Sequence, residues 1–420
     1  MLQLVFGRSG YGKTEYIRNR IAEKIDRGET QVLLITPEQY SFISEYSLLE
    51  QLGEARAHAV RCLSFSRLCD ECDRLYGADG RKPLTKGGKA ILMKTAIDQV
   101  RPDLELFEKK GSSAAFVQSM TGIYDEMKSC NLSGAAVYAA ADDLDTDILR
   151  CKMRDFSRIM TAYEALLGDR FADPANRLTR LYDQIKDQNY FAGQTVFLDG
   201  FNGFVAQEYK ILERIIAEAK AVYIALDSDS FGTGDGYDLF AYVNETAGIL
   251  QRIADKAGVP TNALQLGENC RTDYADLRRV EQYIFADQAP ETEIPAEHIR
   301  LYAASTVTDA CNDLALQIKG LLRCGYRAGE IAVTMRDREK YAPVLASAFE
   351  KYGVPYYADE RQPVTAQPIL VFPMYLMRSV IYGWRSDDLF SLIKTGLTDV
   401  SDRKLCVYLG HQWCCLEATV

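Results

Sequence analysis

Short apolar runs alternate with one amphipathic segment along residues 1–36. Residues 2–6 are apolar and brief, which is typical of a buried strand. After a glycine-rich turn, apolar side chains recur at helical spacing, for example at Ile17 and Ile21, and Gly28 is placed to end that helix. Residues 31–36 are again almost continuously apolar, as in a parallel strand covered on both faces. The pattern predicts a strand, a loop, a helix and a second strand.

A long helical pattern interrupts this sheet, and strands return after it. Residues 59–65 have the character of a third strand, but from residue 66 to residue 189 apolar residues fall at helical spacing. Residues 195–198 and 221–226 are apolar runs again, with a helical pattern between them. Because strands that alternate with helices form parallel sheets, we predict an α/β fold with a helical insertion of roughly 120 residues.

A second α/β unit is predicted after a segment rich in Pro, Ala, Glu and Asp at 286–297, which has the composition of a linker. A single core stops growing at roughly 250–300 residues, so a chain of 420 residues should hold two or three domains. In the second unit we predict strands at 299–303, 331–335 and 355–358 and helices at 309–322 and 341–352.

The turn between the first strand and the first helix matches the phosphate-binding pattern G-x-x-x-x-G-K-[ST]. In such a loop the backbone amides surround the β-phosphate, Lys13 brings a positive charge to the β- and γ-phosphates, and the Thr14 hydroxyl binds Mg²⁺. The strand before the loop and the helix after it are the context that this motif requires. We therefore expect ATP and Mg²⁺ to bind at Gly7, Arg8, Ser9, Gly10, Tyr11, Gly12, Lys13 and Thr14.

An acidic residue at the end of a neighbouring strand should complete a magnesium site. Asp199 follows the run at 195–198 and is the best candidate, holding the metal through water; the alternative is an aspartate that starts a turn with Gly200. Hydrolysis usually needs a carboxylate that orients the attacking water. Gly200 cannot supply one, and Glu208 lies far along the next segment. Nucleotide binding is better supported than turnover.

Four further residues are candidates for ligand contacts. Gln39 could contact the adenine or the phosphates, or it could be a surface or capping glutamine. Arg336 could face the γ-phosphate from the second unit, or it could pair with neighbouring acids on the surface. Arg67 could contact a DNA phosphate beside a stacking face on Phe65, although Phe65 suits the core equally well.

Charge, cysteine content and hydropathy indicate which ligands and which cellular compartment to expect for this protein. The net charge of −10 does not favour tight DNA binding by this chain alone, although a basic channel can lie within an acidic surface. The eleven cysteines include one CxxC pair, Cys69 and Cys72, which is more simply two positions on one helix face than a metal site. Since no export signal and no apolar run of about 20 residues is present, we expect a cytoplasmic protein without a membrane span.

Several motifs taken together resemble the N-terminal part of the AddB family, the B subunits of the ATP-dependent helicase/nucleases of bacterial recombination, which look like superfamily 1, UvrD-like helicases. The glycine-rich motif alone is unspecific, whereas the segments TPEQ, SFSRL and LDGF are specific in combination. The matching segments are GRSGYGKT at 7–14, TPEQ at 36–39 with Phe42 and Glu45, SFSRL at 64–68, LDGF at 198–201 with Phe204, QE at 207–208, IAVTMR at 331–336, YGVPY at 352–356 and LIKTGL at 392–397.

The resemblance implies a helicase-type layout and a partner. Residues 1–70 and 190–290 would form a first RecA-like domain, 71–189 a helical insertion on it, and 298–420 the start of a second RecA-like domain. The family's B subunit forms a heterodimer with the A subunit of the helicase–nuclease. This heterodimer processes double-strand DNA ends for homologous recombination, with single-stranded DNA running through a channel.

Departures from the helicase pattern indicate what this chain lacks. A working UvrD-like helicase has Asp-Glu where this chain has Asp199 and Gly200, and the next motif, here at 226–232, lacks its glutamine. The family's nuclease domain and iron–sulfur cluster lie beyond residue 420, so neither is expected here, and the tail at 410–420 departs from the family pattern. Two alternatives stay open: a stand-alone P-loop phosphotransferase, and a structural protein that binds single-stranded DNA and has a vestigial loop.

Overall fold

The computed structural model describes residues 1–398, apart from residues 79, 111–112, 230–238, 287–289, 292, 360–363 and 365–366. It is an α/β protein with a parallel sheet, as predicted. The chain divides into two compact units, Met1–Arg300 and Leu301–Val420. Since the first unit is compact as a whole, the finer division into residues 1–70 with 190–290 and an insertion at 71–189 stays a prediction. The tail at 410–420 lies outside the described residues.

Six strands form one parallel sheet in the described part of the first unit. Their order across the sheet is β3-β2-β6-β7-β1-β8, and a separate pair joins β4 to β5. Neighbouring strands keep their carboxyl ends level, since Gly7 at the end of β1 is in register with Asp227 at the end of β7. The strands are β1 Leu2–Gly7, β2 Val32–Ile35, β3 Val60–Leu63, β4 Lys82–Pro83, β5 Phe171–Ala172, β6 Thr195–Leu198, β7 Ala221–Asp227 and β8 Thr261–Gln265.

Helices connect the strands and fill the insertion. None of the described helices is both long and apolar enough to cross a membrane. The helices of the first unit are α1 Lys13–Asp26, α2 Ser41–Leu52, α3 Glu54–Ala57, α4 Phe65–Tyr76, α5 Lys86–Val100, α6 Ala114–Ser129, α7 Gly134–Ala141, α8 Asp147–Leu167, α9 Arg177–Ile185, α10 Ala206–Glu218, α11 Ala241–Lys256 and α12 Ala275–Tyr283; those of the second are α13 Val307–Arg323, α14 Arg338–Tyr352, α15 Pro368–Ile381 and α16 Ser386–Ile393.

The sheet is covered on both faces because its strands are apolar at almost every position. Alternate residues of each strand point to opposite faces. On one face, α1 and α2 pack through residues such as Ile21 and Leu48. On the other face, α4, α9, α10 and α11 contribute residues such as Leu68, Ile211 and Leu250. The helices that follow β1 and β7 therefore lie on opposite faces, which leaves a crevice at the carboxyl ends of these two neighbouring strands.

The insertion has a core of its own, formed mainly by α5, α6 and α8 around Met93, Tyr124 and Tyr163. These helices confirm the helical segment that the sequence predicts between residues 66 and 189. Helices α4 and α9, by contrast, pack on the sheet, with Cys69 and Cys72 in the core between them. Burial raises the pKa of the Cys69 thiol to about 11 and that of the Cys72 thiol to about 12. These two cysteines therefore behave as core residues.

Two details of the first sheet differ from the sequence pattern. The third strand ends at Leu63, because the Ser64 hydroxyl accepts a hydrogen bond from the amide of Arg67 and caps α4, so that Phe65 begins a helix. Strand β8 had no apolar signal, since it is a largely exposed edge strand that pairs only with β1 among the described strands.

The second unit confirms its predicted helices but not its predicted strands. Helices α13 and α14 pack through Ala315, Ile318 and Phe349, at the positions that periodicity indicated. The segments 299–303, 331–335 and 355–358 are not strands, and no strand occurs in the described part of residues 301–398. A strand requires a hydrogen-bonded neighbour, and these segments have none there. The prediction of buried strands was wrong for this unit.

Candidate nucleotide-binding site

The glycine-rich loop (residues 7–14) joins β1 to α1 at the carboxyl edge of the sheet. Gly10 and Gly12 have φ angles of 89° and 78°, in the left-handed region that favours glycine. A side chain at Gly10 would also meet Arg271, because an added Cβ would lie 3.0 Å from its Cβ. Gly12 is the N-cap of α1 and provides no side-chain cap, so the first amides of this helix face an open cavity. Such amides attract an anion.

Lys13 lies within the loop and is nearly buried, with 10 % of its side chain exposed. Its Nζ is 2.5 Å from Oδ1 of Asp227 and donates hydrogen bonds to the carbonyl oxygens of Gly7, at 2.7 Å, and Arg8, at 2.9 Å. No motif along the sequence marks Asp227 as part of the site. The alignment of β1 with β7 brings the two together, and parallel pairing of distant segments is not visible in a local pattern.

Asp199 lies where the sequence predicts, directly after β6 and beside Thr14. Burial raises the pKa of the Asp199 carboxyl, and the Thr14 hydroxyl and the Gly200 amide, which donate hydrogen bonds to it, offset this only in part. A desolvated carboxylate next to a hydroxyl is a pair of hard oxygen ligands that suits Mg²⁺. The residues present therefore fit a magnesium ion held with a bound triphosphate.

Gly200 shows why this position carries no catalytic carboxylate. Its φ is 82°, and an added Cβ would lie 3.4 Å from Cδ of Pro37, so a glutamate would be strained there. Glu208, the next acid, accepts a hydrogen bond from the amide of Val205 at 2.9 Å and caps α10. Burial raises the pKa of Glu208. This carboxyl is engaged in holding a helix terminus.

Arg8 and Tyr11 anchor the loop through side chains that lead away from the phosphate position. The Arg8 guanidinium donates to Oδ2 of Asp229 at 2.8 Å and to the carbonyl of Glu281 at 3.0 Å, and it lies over the ring of Phe240. The Tyr11 hydroxyl donates to Glu281 at 3.4 Å. At these two positions the backbone is therefore the part that can contact a phosphate.

The cavity above the loop has a volume of about 440 Å³, within the range of small-molecule sites. Ser9, Lys13, Thr14 and Asp199 line it, as expected. Residues that no motif marks as part of the site also line it, among them Arg18, Asp227, Cys270 and Arg271.

Arg271 reaches this cavity because the segment after β8 crosses the loop. The amide of Cys270 donates to the carbonyl of Gly10 at 2.8 Å, which fixes that crossing. Recognising the polar run 261–265 as an edge strand would have indicated that residue 271 lies at the same edge of the sheet.

The other predicted contacts lie elsewhere. Gln39 is exposed in the turn after β2 and does not line the cavity. Arg336 is exposed in the second unit, next to the N-cap residue of α14, Asp337. The roles predicted for Gln39 and Arg336 at the nucleotide stay predictions.

Phe65 lines a second cleft of about 610 Å³ between the sheet and the insertion, whereas Arg67 is not among the residues that line it. Phe65 is 6 % exposed and packs edge-on against Phe201 at 5.8 Å, so its ring belongs to the core. Its stacking on DNA stays a prediction. Arg67 is partly exposed, and its guanidinium donates to Glu45 at 3.1 Å. Its contact with DNA stays a prediction.

Comparison with known proteins decides the family. The family described as ADDB, N-terminal matches residues 4–281, which is more than half of the chain. This chain belongs to the AddB family. The resemblance inferred from the motifs is thereby confirmed.

Relatives in several bacteria are named as the B subunit of an ATP-dependent helicase/deoxyribonuclease. The chain is 27% identical over 433 residues to the protein of Clostridium botulinum (strain Langeland), covering 98% of this chain and 37% of the relative. It is 28% identical over 415 residues to that of Clostridioides difficile (strain 630), covering 96% and 36%. The AddB chain described here thus spans little more than a third of the length of these curated relatives.

Proposed function

We propose that this AddB chain binds ATP with Mg²⁺ at the glycine-rich loop, within a P-loop, RecA-like domain. The observation that carries the proposal is the convergence of the open α1 amides, Lys13, Thr14 and Asp199 on one cavity. The crevice also lies where helices leave neighbouring strands toward opposite faces, the usual ligand position in open α/β sheets. The triphosphate would contact the amides and Lys13, and the metal would lie between Thr14 and Asp199.

The site supports binding more than hydrolysis. Gly200 replaces the carboxylate that would orient water, and Glu208 is held in a helix cap. A bound nucleotide that is not turned over would stabilise the domain that holds it. We therefore propose a structural role for ATP in this protein.

The larger setting is proposed from the names of the relatives. Proteins named as the B subunit of an ATP-dependent helicase/deoxyribonuclease belong to an assembly with another subunit. We propose that this chain is the DNA-processing, nucleotide-binding part of a heterodimer with the A subunit of a helicase–nuclease. The heterodimer would act in double-strand break repair by homologous recombination. The partly exposed Arg67 is the proposed contact with single-stranded DNA, and we propose a cytoplasmic localisation for this role.

One observation favours a second function, a protein that binds single-stranded DNA and has a vestigial loop. All three donors of the Lys13 ammonium already have partners within the protein. In that case titration with ATP and Mg²⁺ would give no heat, while salt-sensitive binding of single-stranded DNA would persist.

Calorimetric titration of the whole chain with ATP and Mg²⁺ tests the first proposal. Replacing Lys13→Ala should weaken binding roughly 100-fold, because a buried charged partner of the phosphates is removed. The matched control is Lys94→Ala, which removes an equal charge from the exposed surface of α5, where Lys94 pairs with Asp98. Equal affinity in the Lys13 variant and the control would refute the site.

A further inference from the structure

The ammonium group of Lys13 has no donor left for a ligand. An ammonium carries three N–H donors. Here one points at Asp227 and two at backbone carbonyls of the same loop, all within 2.9 Å. A triphosphate can therefore reach Lys13 only if at least one of these contacts is given up.

Asp227 is the partner that can leave. The carbonyls of Gly7 and Arg8 are part of the loop backbone, whereas the carboxylate of Asp227 is at the end of a side chain that is 41 % exposed. Rotation of that side chain would release the ammonium and leave the loop in place. The carboxylate would then be in water at the rim of the cavity.

The position of Asp227 also places it close to any phosphate that Lys13 binds. Its Oδ1 and a phosphate oxygen would compete for the same ammonium, 2.5 Å away from the carboxylate. Two negative groups that share one ammonium repel each other, and the repulsion grows with the charge of the phosphate chain. A triphosphate is penalised more than a diphosphate, since the lysine of this motif lies between the β- and γ-phosphates.

We propose that the carboxylate of Asp227 competes with the phosphates of the nucleotide for the ammonium of Lys13. It holds Lys13 in the absence of ligand and sets the preference between triphosphate and diphosphate. The proposal rests on the nucleotide-binding function proposed above and adds a residue that determines its specificity. Ligand binding then exchanges one ion pair for another, and the carboxylate selects against the γ-phosphate unless Mg²⁺ neutralises it.

The variant Asp227→Asn tests this inference, because it keeps the size of the side chain and removes its charge. Affinities for ATP and ADP, each with and without Mg²⁺, are measured by calorimetry on the whole chain. We expect ATP to bind about three- to tenfold more tightly than to the wild type, and ADP to gain less. The gain for ATP should be largest without Mg²⁺.

The control is Asp26→Asn, which removes the same charge from the exposed C-terminal end of α1, where the carboxylate pairs with Arg56. It should not tighten ATP binding. Thermal unfolding of each variant shows whether the fold is kept, and Asp227→Ala serves as a second variant if the amide itself bonds to Lys13.

Each outcome separates the two proposals. Two results support the role of Asp227 as a competitor. Either only the Asp227→Asn variant binds nucleotide, or this variant gains more affinity for ATP than for ADP relative to the wild type. Binding to wild type with no change in either Asp227 variant overturns the competitor and leaves the nucleotide site intact. Absence of binding in every variant overturns both.

Discussion

At the scale of single residues, the site contains groups that lower the stability of the folded protein when no ligand is bound. The pKa of Asp199 is raised because the carboxyl is desolvated, and the loop depends on two glycines with left-handed backbone. Lys13, Thr14 and Asp199 could be predicted from the sequence, because each belongs to a local motif. Asp227 and Arg271 could not, because they reach the cavity through strand pairing rather than through spacing along the chain.

The substitution Asp199→Asn should raise the stability of the ligand-free protein and weaken its binding of ATP with Mg²⁺. The raised pKa means that the ionised carboxyl is unfavourable in the folded state. This destabilisation is absent below the unfolded pKa and is complete once the pH has risen above the folded pKa. At pH 7 without ligand, the variant should therefore unfold at a higher temperature than the wild type. Its Mg²⁺-dependent ATP binding should be about 10–100-fold weaker. An unchanged magnesium dependence would show that Asp199 only starts a turn.

At the scale of elements, buried strands with continuous apolar runs could be predicted from the sequence, as β1, β2, β6 and β7 show. The failures have physical causes. Strand β8 is polar and mostly exposed, so it lacks the apolar signal. The segment 331–335 has an apolar pattern, but a strand forms only where a neighbour completes its hydrogen bonds. Phe65 belongs to a helix because the Ser64 cap decides the boundary.

Glu29 ties three elements together at the edge of the sheet opposite the glycine-rich loop. Although burial alone would raise its pKa, hydrogen bonds from Thr195, Lys220 and Lys24 lower the pKa of the Glu29 carboxyl to about 2. This stabilisation is complete above the unfolded pKa of 4.5 and is lost as the pH falls toward 2.

Glu29→Gln should therefore lower the free energy of unfolding at pH 7 by about 1–2 kcal/mol, since water screens part of the interaction. Denaturant titrations at pH 7 and pH 3 measure this loss, which should be smaller at pH 3. The control is Glu23→Gln on the exposed face of α1, whose pairing with Arg20 is worth about 0.5 kcal/mol or less. Equal losses in both variants, or a loss independent of pH, would contradict the assignment.

At the scale of the whole molecule, family membership and the parallel sheet are established, while the activity of the full assembly is proposed. The chain belongs to the AddB family and spans little more than a third of its curated relatives. The motif set, spread over most of the sequence, identified the family. The strands predicted for the second unit do not occur in the described part of residues 301–398, because strand pairing depends on partners that local patterns do not specify.

The central claim is that the glycine-rich loop encloses a triphosphate. A crystal structure of the whole chain with a non-hydrolysable ATP analogue and Mg²⁺ tests it most directly. We predict phosphates on the amides of residues 10–14 and on Lys13, the Asp227 carboxylate turned away from Lys13, and the metal between Thr14 and Asp199. An empty loop that keeps the Lys13–Asp227 pair, or a nucleotide bound elsewhere, would contradict the account.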